Sequence, residues 1–244
     1  MKEKMKATRS EIKESEPTSY NPEAYHRVSV AVDLLVFTIV EERLQLLMVR
    51  RDEEPFQGRL ALPGVFVGPE ENLDEAAERG IFEEAGLQGI YFEQLYTWGD
   101  IHRDPRMRII SVSYMALVPA NLLNFKAGRR TSEAKLVDVE ELLEGKGEAL
   151  AFDHIEIIRY ARWRLKNKVE YTGIAFHLLP EEFTLPELQR VYEILLGKSL
   201  YKANFRKKIA ELVEETERYT TGDAHRPSKY YRLKQTGEEA GRLV

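Results

Sequence analysis

Residues 62–87 read LPGVFVGPEENLDEAAERGIFEEAGL, and the fold turns on how this stretch divides. Asn72 followed three residues later by Glu75 is the pattern of a capping box, in which the two side chains satisfy each other's backbone N–H groups. Gly86 stands where a helix leaves through a left-handed residue. The spacing therefore predicts a helix over 73–85. At 100° per residue Leu73, Ala76, Ala77, Gly80 and Ile81 fall on one stripe, which should pack on a sheet. Glu84 lies within that stripe and Glu83 at its edge. Two reasons for carboxylates there stay open: a divalent cation held from one helical turn, or an ion pair with Arg79.

Strand-like text flanks the helix. VSVAVDLLVFTIV (28–40) and LQLLMVRR (44–51) are β-branched and aliphatic, with a turn between them, and RIISVSYMALV (108–118) and the shorter Lys135–Val139 add to the same sheet. Strands with few helices predict an α/β layered domain. ALAFDHIEIIRYARWRLKNK (149–168) places Ile155, Ile158, Ala161 and Leu165 on one helical face and reads as a domain-joining helix. YTGIAFHLLP is strand-like and opens a second domain. The expected division is a polar N-terminal arm over 1–25, a sensing domain over 26–148, a linker helix over 149–170 and a small domain over 171–244.

The last part reads as a winged helix-turn-helix. In FTLPELQRVYEILLGKSLYKANFRKKIAEL (183–212), Thr184 and Glu187 form a second capping box, Leu185, Leu188, Val191 and Leu195 make an apolar face, and Gly197 ends the helix. In the helix that follows, Phe205, Ile209 and Leu212 define the buried side. Ala203, Asn204, Arg206 and Lys207 then project outward, flanked by Lys202 and Lys208. A recognition helix reads bases with Asn and Arg while lysines hold phosphate, so Asn204 and Arg206 are the base-reading candidates. ERYTTGDAHRPSKYYRLK (217–234) reads as a hairpin wing whose basic tip holds Arg226 and Lys229.

Charge divides the same way. The 244-residue chain has a formal net charge of −5, yet residues 198–244 carry 11 Lys or Arg against 7 Asp or Glu, net +4, leaving −9 on residues 1–197. A basic tail on an acidic body is the footprint of a chain that meets nucleic acid through the tail alone. The absence of cysteine excludes disulfides and thiolate chemistry. No apolar run approaches the roughly 20 residues of a membrane span, and the first residues lack a signal-peptide core, so a cytoplasmic protein with no membrane partner is expected.

The carboxylate stretch resembles the Nudix box, G-x5-E-x7-R-E-U-x-E-E-x-G-U with U aliphatic. Glu71, Arg79, Ile81, Glu83, Glu84, Gly86 and Leu87 agree with it; Val65 replaces the opening glycine and Gly80 the first glutamate of the core. The resemblance implies an α/β/α sandwich with a mixed sheet, and a nucleotide-type ligand. For that ligand Arg50, Arg51, Arg103, Asp104, Arg106 and Arg108 are candidate binding residues, the arginines suited to phosphate, and Phe56 and Trp98 are candidate stacking residues. Positions 80, 83 and 84 would share one metal-binding face, so Gly80 removes one carboxylate of three. What remains is a weakened Mg2+ site at Glu83 and Glu84, with weak or absent hydrolysis expected. Glu133, read as a loop residue, is a candidate extra ligand.

The order of Nudix box, LAFDHIEII, IAFHLLPEEFTLPELQRVYEILLG and NFRKKI is similar to the NrtR family of Nudix-related transcriptional regulators over residues 28–234. That resemblance implies a homodimer, a palindromic operator, and a repressor responding to ADP-ribose or a related sugar metabolite. The competing expectation is an active Mg2+-dependent ADP-ribose or ADP-sugar pyrophosphatase.

Overall fold

The computed structural model describes residues 21–123, 131–221 and 227–234. Most of the expected arm, 1–20, lies outside them; Pro22–Ala24 form one 3-10 turn. A mixed sheet of seven strands organises the first part of the chain. β1 (Ser29–Val40), β2 (Arg43–Arg51), β3 (Leu60–Ala61), β5 (Tyr91–Trp98) and β6 (Ile109–Leu117) lie in the order β3-β2-β1-β6-β5. In addition β4 (Gly64–Phe66) pairs with β1 and β7 (Thr131–Asp138) with β2. Only β1 and β6 run parallel. Thus β7 begins earlier than the short strand expected at Lys135, and Glu133 lies in a strand rather than a loop.

Alternation along β1 sends successive side chains to opposite faces. Val32, Leu34 and Val36 pack with Ala76, Ala77, Ile81 and Ala85 of α1 (Leu73–Ala85). α1 has the expected limits, with the Asn72–Glu75 capping box formed and Gly86 left-handed. Leu35 and Phe37 face the other way, toward α3 (His154–Lys168), which follows the short α2 (Val139–Leu143). The sheet is therefore covered on both faces, as in an α/β/α sandwich.

α3 starts five residues later than the periodicity suggested. Residues 149–153 instead tie back to β3, the Ala151 N–H donating to the Leu60 carbonyl at 2.8 Å. The buried face also differs, with His154, Ile157, Ile158, Ala161 and Leu165 buried and Ile155 only half-buried. Burying each of the large aliphatic side chains is worth about 1.5–3 kcal/mol, so α3 is held firmly to the sheet.

The core on this face does not stop at the end of α3. It continues through Ile174, Phe176, Phe183, Leu188, Val191, Leu195, Phe205 and Ile209, so the C-terminal part shares a hydrophobic core with the sheet. IAFHL forms a buried 3-10 turn (Ile174–Leu178) and not the expected strand, since a short, wholly apolar run does not choose between the two. Then follow β8 (Phe183–Thr184), α4 (Leu185–Leu196), α5 (Lys202–Ile209) and the hairpin of β9 (Val213–Tyr219) and β10 (Lys229–Leu233), with β8 completing a three-stranded sheet. This is a winged helix. Arg190 of α4 reaches Glu42 in the β1–β2 turn at 2.6 Å, a second tie between the two parts. Among the described residues no helix is long and apolar enough to cross a membrane.

Candidate ligand cavity and nucleic-acid interface

A cavity of about 800 Å3 opens between α1, the ends of β1 and β2, the 99–108 loop and the start of α3. Its floor is polar where the strand sequence is apolar. Asp33, placed in mid-strand, is buried and accepts from Ser111 Oγ at 2.5 Å and Arg103 Nη2 at 3.1 Å. The Arg103 guanidinium also forks onto Asp153 at 3.0 and 2.8 Å. His154 completes the cluster. Its Nδ1 accepts the Leu62 N–H at 2.8 Å, which leaves Nε2 toward Asp33 Oδ1 at 3.8 Å. Burial pushes the His154 pKa down despite the nearby Asp33 and Asp153, which favours the neutral ring. Buried charges persist only when paired, and Arg103 with two aspartates meets that condition.

The cavity wall carries one cation paired with a carboxylate, Arg106, and one that is not, Arg51. Among the described residues Arg51 donates only to carbonyls, those of Pro55 and Glu53, and it lies 4.9 Å from the Phe152 ring centroid. Arg106 forks onto Asp104 and sits 5.8 Å from the Phe66 ring and 5.7 Å from Phe152. Burial and then the charge of Arg106 push Arg51 below the usual guanidinium range, against the opposing pull of Asp104, Glu53 and Glu54. Arg51 offers a guanidinium without a carboxylate partner to an anion, and Phe66 and Phe152 offer flat faces beside it. Phe152 has φ +52°, an uncommon value for a large side chain, and it directly precedes Asp153.

On α1 the carboxylates have divided roles. Arg79 holds Glu71 through two hydrogen bonds of 3.0 and 2.6 Å, donates to the Phe66 carbonyl at 2.9 Å and meets Glu83 at 3.3 Å. Arg79 and the Gly68 N–H hold the Glu71 carboxyl down to about 2. Glu71 and Arg79 thus clamp the 66–71 loop onto the helix. Glu84 is half-buried with Oε2 unpartnered among the described residues, and burial together with Glu83 raises its pKa. Among the described residues no three His, Cys, Asp or Glu side chains are arranged to hold a metal ion. Gly80 offers no ligand to the Mg2+ site the box implies, and Glu83 is engaged by Arg79, which leaves Glu84, among the described residues, as the carboxylate without a partner there.

The second site is α5. Lys202, Ala203, Asn204, Arg206, Lys207 and Lys208 are exposed, while Phe205 and Ile209 are buried against α4 and the core. Among the described residues Lys202, Asn204, Arg206 and Lys207 form no salt bridge or side-chain hydrogen bond; Lys208 donates to the Glu170 carbonyl. Tyr201, at the N-cap, is 85% exposed. The helix therefore presents free cations and an amide, the groups that meet phosphate and base edges.

Models of two families match. The NUDIX domain model covers residues 30–160 and the NrtR DNA-binding winged helix domain model covers residues 175–233. The ADPR responsive transcriptional repressor NtrR of Acinetobacter baylyi is 36% identical over 222 residues, 88% of this chain and 85% of that one. The chain belongs to the NrtR family. A crystal structure of Shewanella oneidensis NrtR complexed with a 27mer DNA superposes with a TM-score of 0.74 at 34% identity, covering 84% of this chain and 93% of that one. The NUDIX domain of the same protein, complexed with ADP ribose, gives a TM-score of 0.53 at 32% identity over 60% of this chain and 94% of that one. The ADP-ribose pyrophosphatase of Methanocaldococcus jannaschii is 38% identical over 141 residues, 57% of this chain and 77% of that protein.

Within this NrtR-family fold the expected site residues separate. Arg51, Arg103, Asp104, Arg106, Glu83 and Glu84 line one cavity. Arg50, Phe56, Trp98 and Arg108 are not among its lining residues. Strand alternation turns Arg50 to the opposite side from Arg51, where it pairs with Glu133 at 2.8 Å and Glu148 at 2.5 Å. This also engages Glu133 away from α1. Trp98 donates to Ser113 Oγ at 3.0 Å and packs with Tyr96 and Tyr160 outside the cavity. Arg108 donates to the Asp100 carbonyl, and Phe56 packs edge-on behind Phe152 at 4.9 Å. Helix α5 ends at Ile209, so Leu212 lies beyond it. Arg226 lies outside the described residues, and Lys229 pairs with Glu215 on the neighbouring wing strand.

Sequence reasoning missed Asp33, Phe66, Phe152, Asp153 and His154. Two signals pointed to the polar three: a lone carboxylate, Asp33, inside the apolar run VSVAVDLLVFTIV, which burial would forbid without a partner, and the polar pair Asp153–His154 opening an otherwise amphipathic helix.

Proposed function

We propose that this chain is a cytoplasmic transcriptional repressor whose Nudix domain binds ADP-ribose without a metal ion and whose winged helix binds a palindromic operator as a homodimer. The observation that carries the reading is one continuous body with two unlike charge sites: an open cavity with Arg51 and Arg106 beside Phe66 and Phe152, and an exposed cationic helix α5. The first suits a diphosphate joined to a base and a sugar; the second suits a duplex. α3 connects them. Its N-terminal residues Asp153 and His154 belong to the cavity cluster, and its buried face shares the core that holds α4 and α5. Ligand seated on Arg106 and Phe152 acts on the Arg103–Asp153 fork, and so on the helix that supports the winged helix. Such a route needs a differential affinity for two states, typically 5- to 150-fold in coupling.

The test is a titration of the full chain against a palindromic duplex from its own promoter region, with and without ADP-ribose, in EDTA and again in Mg2+. The expected result is an operator affinity that changes at least fivefold with ADP-ribose in EDTA as well as in Mg2+. No change in either buffer refutes the sensor. Asp153→Asn should keep both separate affinities within about threefold while reducing the coupling toward unity. A second reading, Mg2+-dependent hydrolysis of ADP-ribose, draws support from the 38% identical archaeal pyrophosphatase. Rapid Mg2+-dependent release of AMP would favour it; turnover at the level of buffer alone removes it.

A further inference from the structure

The chain departs from the Nudix box at two positions, 65 and 80, fifteen residues apart and on different elements. The structure brings them into contact. A Cβ placed on Gly80 would lie 2.9 Å from Leu34 Cδ1 and 3.1 and 3.3 Å from the two methyl groups of Val65. Ordinary carbon contacts lie at about 3.5–4.0 Å. Pairing with β1 holds β4, and with it the Val65 backbone, in place. Val65 stands opposite Val32 in the β1–β4 ladder, and a Cβ on neighbouring Gly64 would already lie 2.9 Å from the Val32 carbonyl oxygen. Leu34 is buried in the α1 cluster, although its terminal methyl can rotate. Space at position 80 is therefore bounded by Leu34 and Val65 together, and of the two only the side chain at 65 departs from the box.

We infer that Val65 and Gly80 are a complementary pair: the valine at the glycine position of the box fills the volume through which a carboxylate side chain at 80 would pass. Bulk has been transferred from the helix to the strand. Returning one residue alone then overfills or empties the contact, and a glutamate at 80 cannot reach the face shared by Glu83 and Glu84 while Val65 is present. The inference concerns packing, and stands whether or not ADP-ribose is the effector.

The sign of one substitution tests it. Gly→Ala inside a helix ordinarily stabilises, because alanine has less chain entropy to lose. Here Gly80→Ala should lower the melting temperature of the full chain by roughly 5 °C, the size expected of overpacking in a protein this long. In a Val65→Gly background, where only the Leu34 methyl must turn aside, the fall should shrink or reverse. A rise in the native background, or an equal fall in both, overturns the pairing. Metal binding gives a second readout that needs no turnover. Mn2+ binding followed by electron paramagnetic resonance should be at least tenfold tighter in V65G/G80E than in G80E alone. Equal affinities in those two variants would mean that Val65 does not close the metal face.

Discussion

Arg103 and Arg206 are the same residue type under opposite electrostatic conditions. The Arg103 side chain is 5% exposed and is answered by Asp33 and Asp153, whereas Arg206 is exposed and has no ion pair among the described residues. A buried guanidinium must be neutralised where it stands, since desolvation otherwise costs more than folding provides. An exposed one keeps its water and can exchange it for phosphate later, releasing counterions. The comparison teaches which arginines hold the molecule together and which remain free for a partner. The wing falls between the two: Lys229 meets Glu215, Arg232 meets Glu214 and Arg218 meets Glu182, so the described part of the hairpin is largely neutralised by its own surroundings.

The largest effect expected from this contrast is on stability. Arg103→Ala should cost about 3–5 kcal/mol in urea unfolding, because Asp33 and Asp153 are left charged and unpaired, while Arg206→Ala should change stability by less than about 0.5 kcal/mol. Equal effects would erase the distinction. Next comes DNA. Replacing Asn204 and Arg206 together with alanine should weaken operator binding by roughly 100-fold and leave ADP-ribose binding within about twofold, measured by anisotropy and calorimetry. Loss of both affinities would indicate an unfolded protein and not a removed contact.

The smallest effect is a pH dependence from the cavity floor. His154 has a folded pKa below its ordinary value of about 6.5, chiefly through burial. The unfolded chain then binds the proton more readily, so this contribution is complete above about pH 6.5 and is lost as the pH falls below it toward the folded pKa. His154→Asn, whose amide oxygen can replace Nδ1 as acceptor for the Leu62 N–H, should flatten the fall in melting temperature between about pH 7 and 5. An unchanged slope would place the dependence elsewhere.

Local rules were enough for the helix over 73–85, its Asn72–Glu75 cap and Gly86 exit, for the helix pair around Gly197, and for the outward face of α5. Each is written in neighbouring residues whose spacing matches a helical period. The same rules left Arg50 and Arg51 undivided, since a strand period of two says that only one can face the cavity and not which. The Asp33–Arg103–Asp153–His154 cluster was beyond them, its members being brought together from positions 33, 103, 153 and 154 by the crossing of β1, a loop and α3. So was the contact of Val65 with Gly80, because volume is shared between elements and only packing reveals who occupies it. Sequence alone named the two anion-binding parts; the fold decided which charges were already spent on one another.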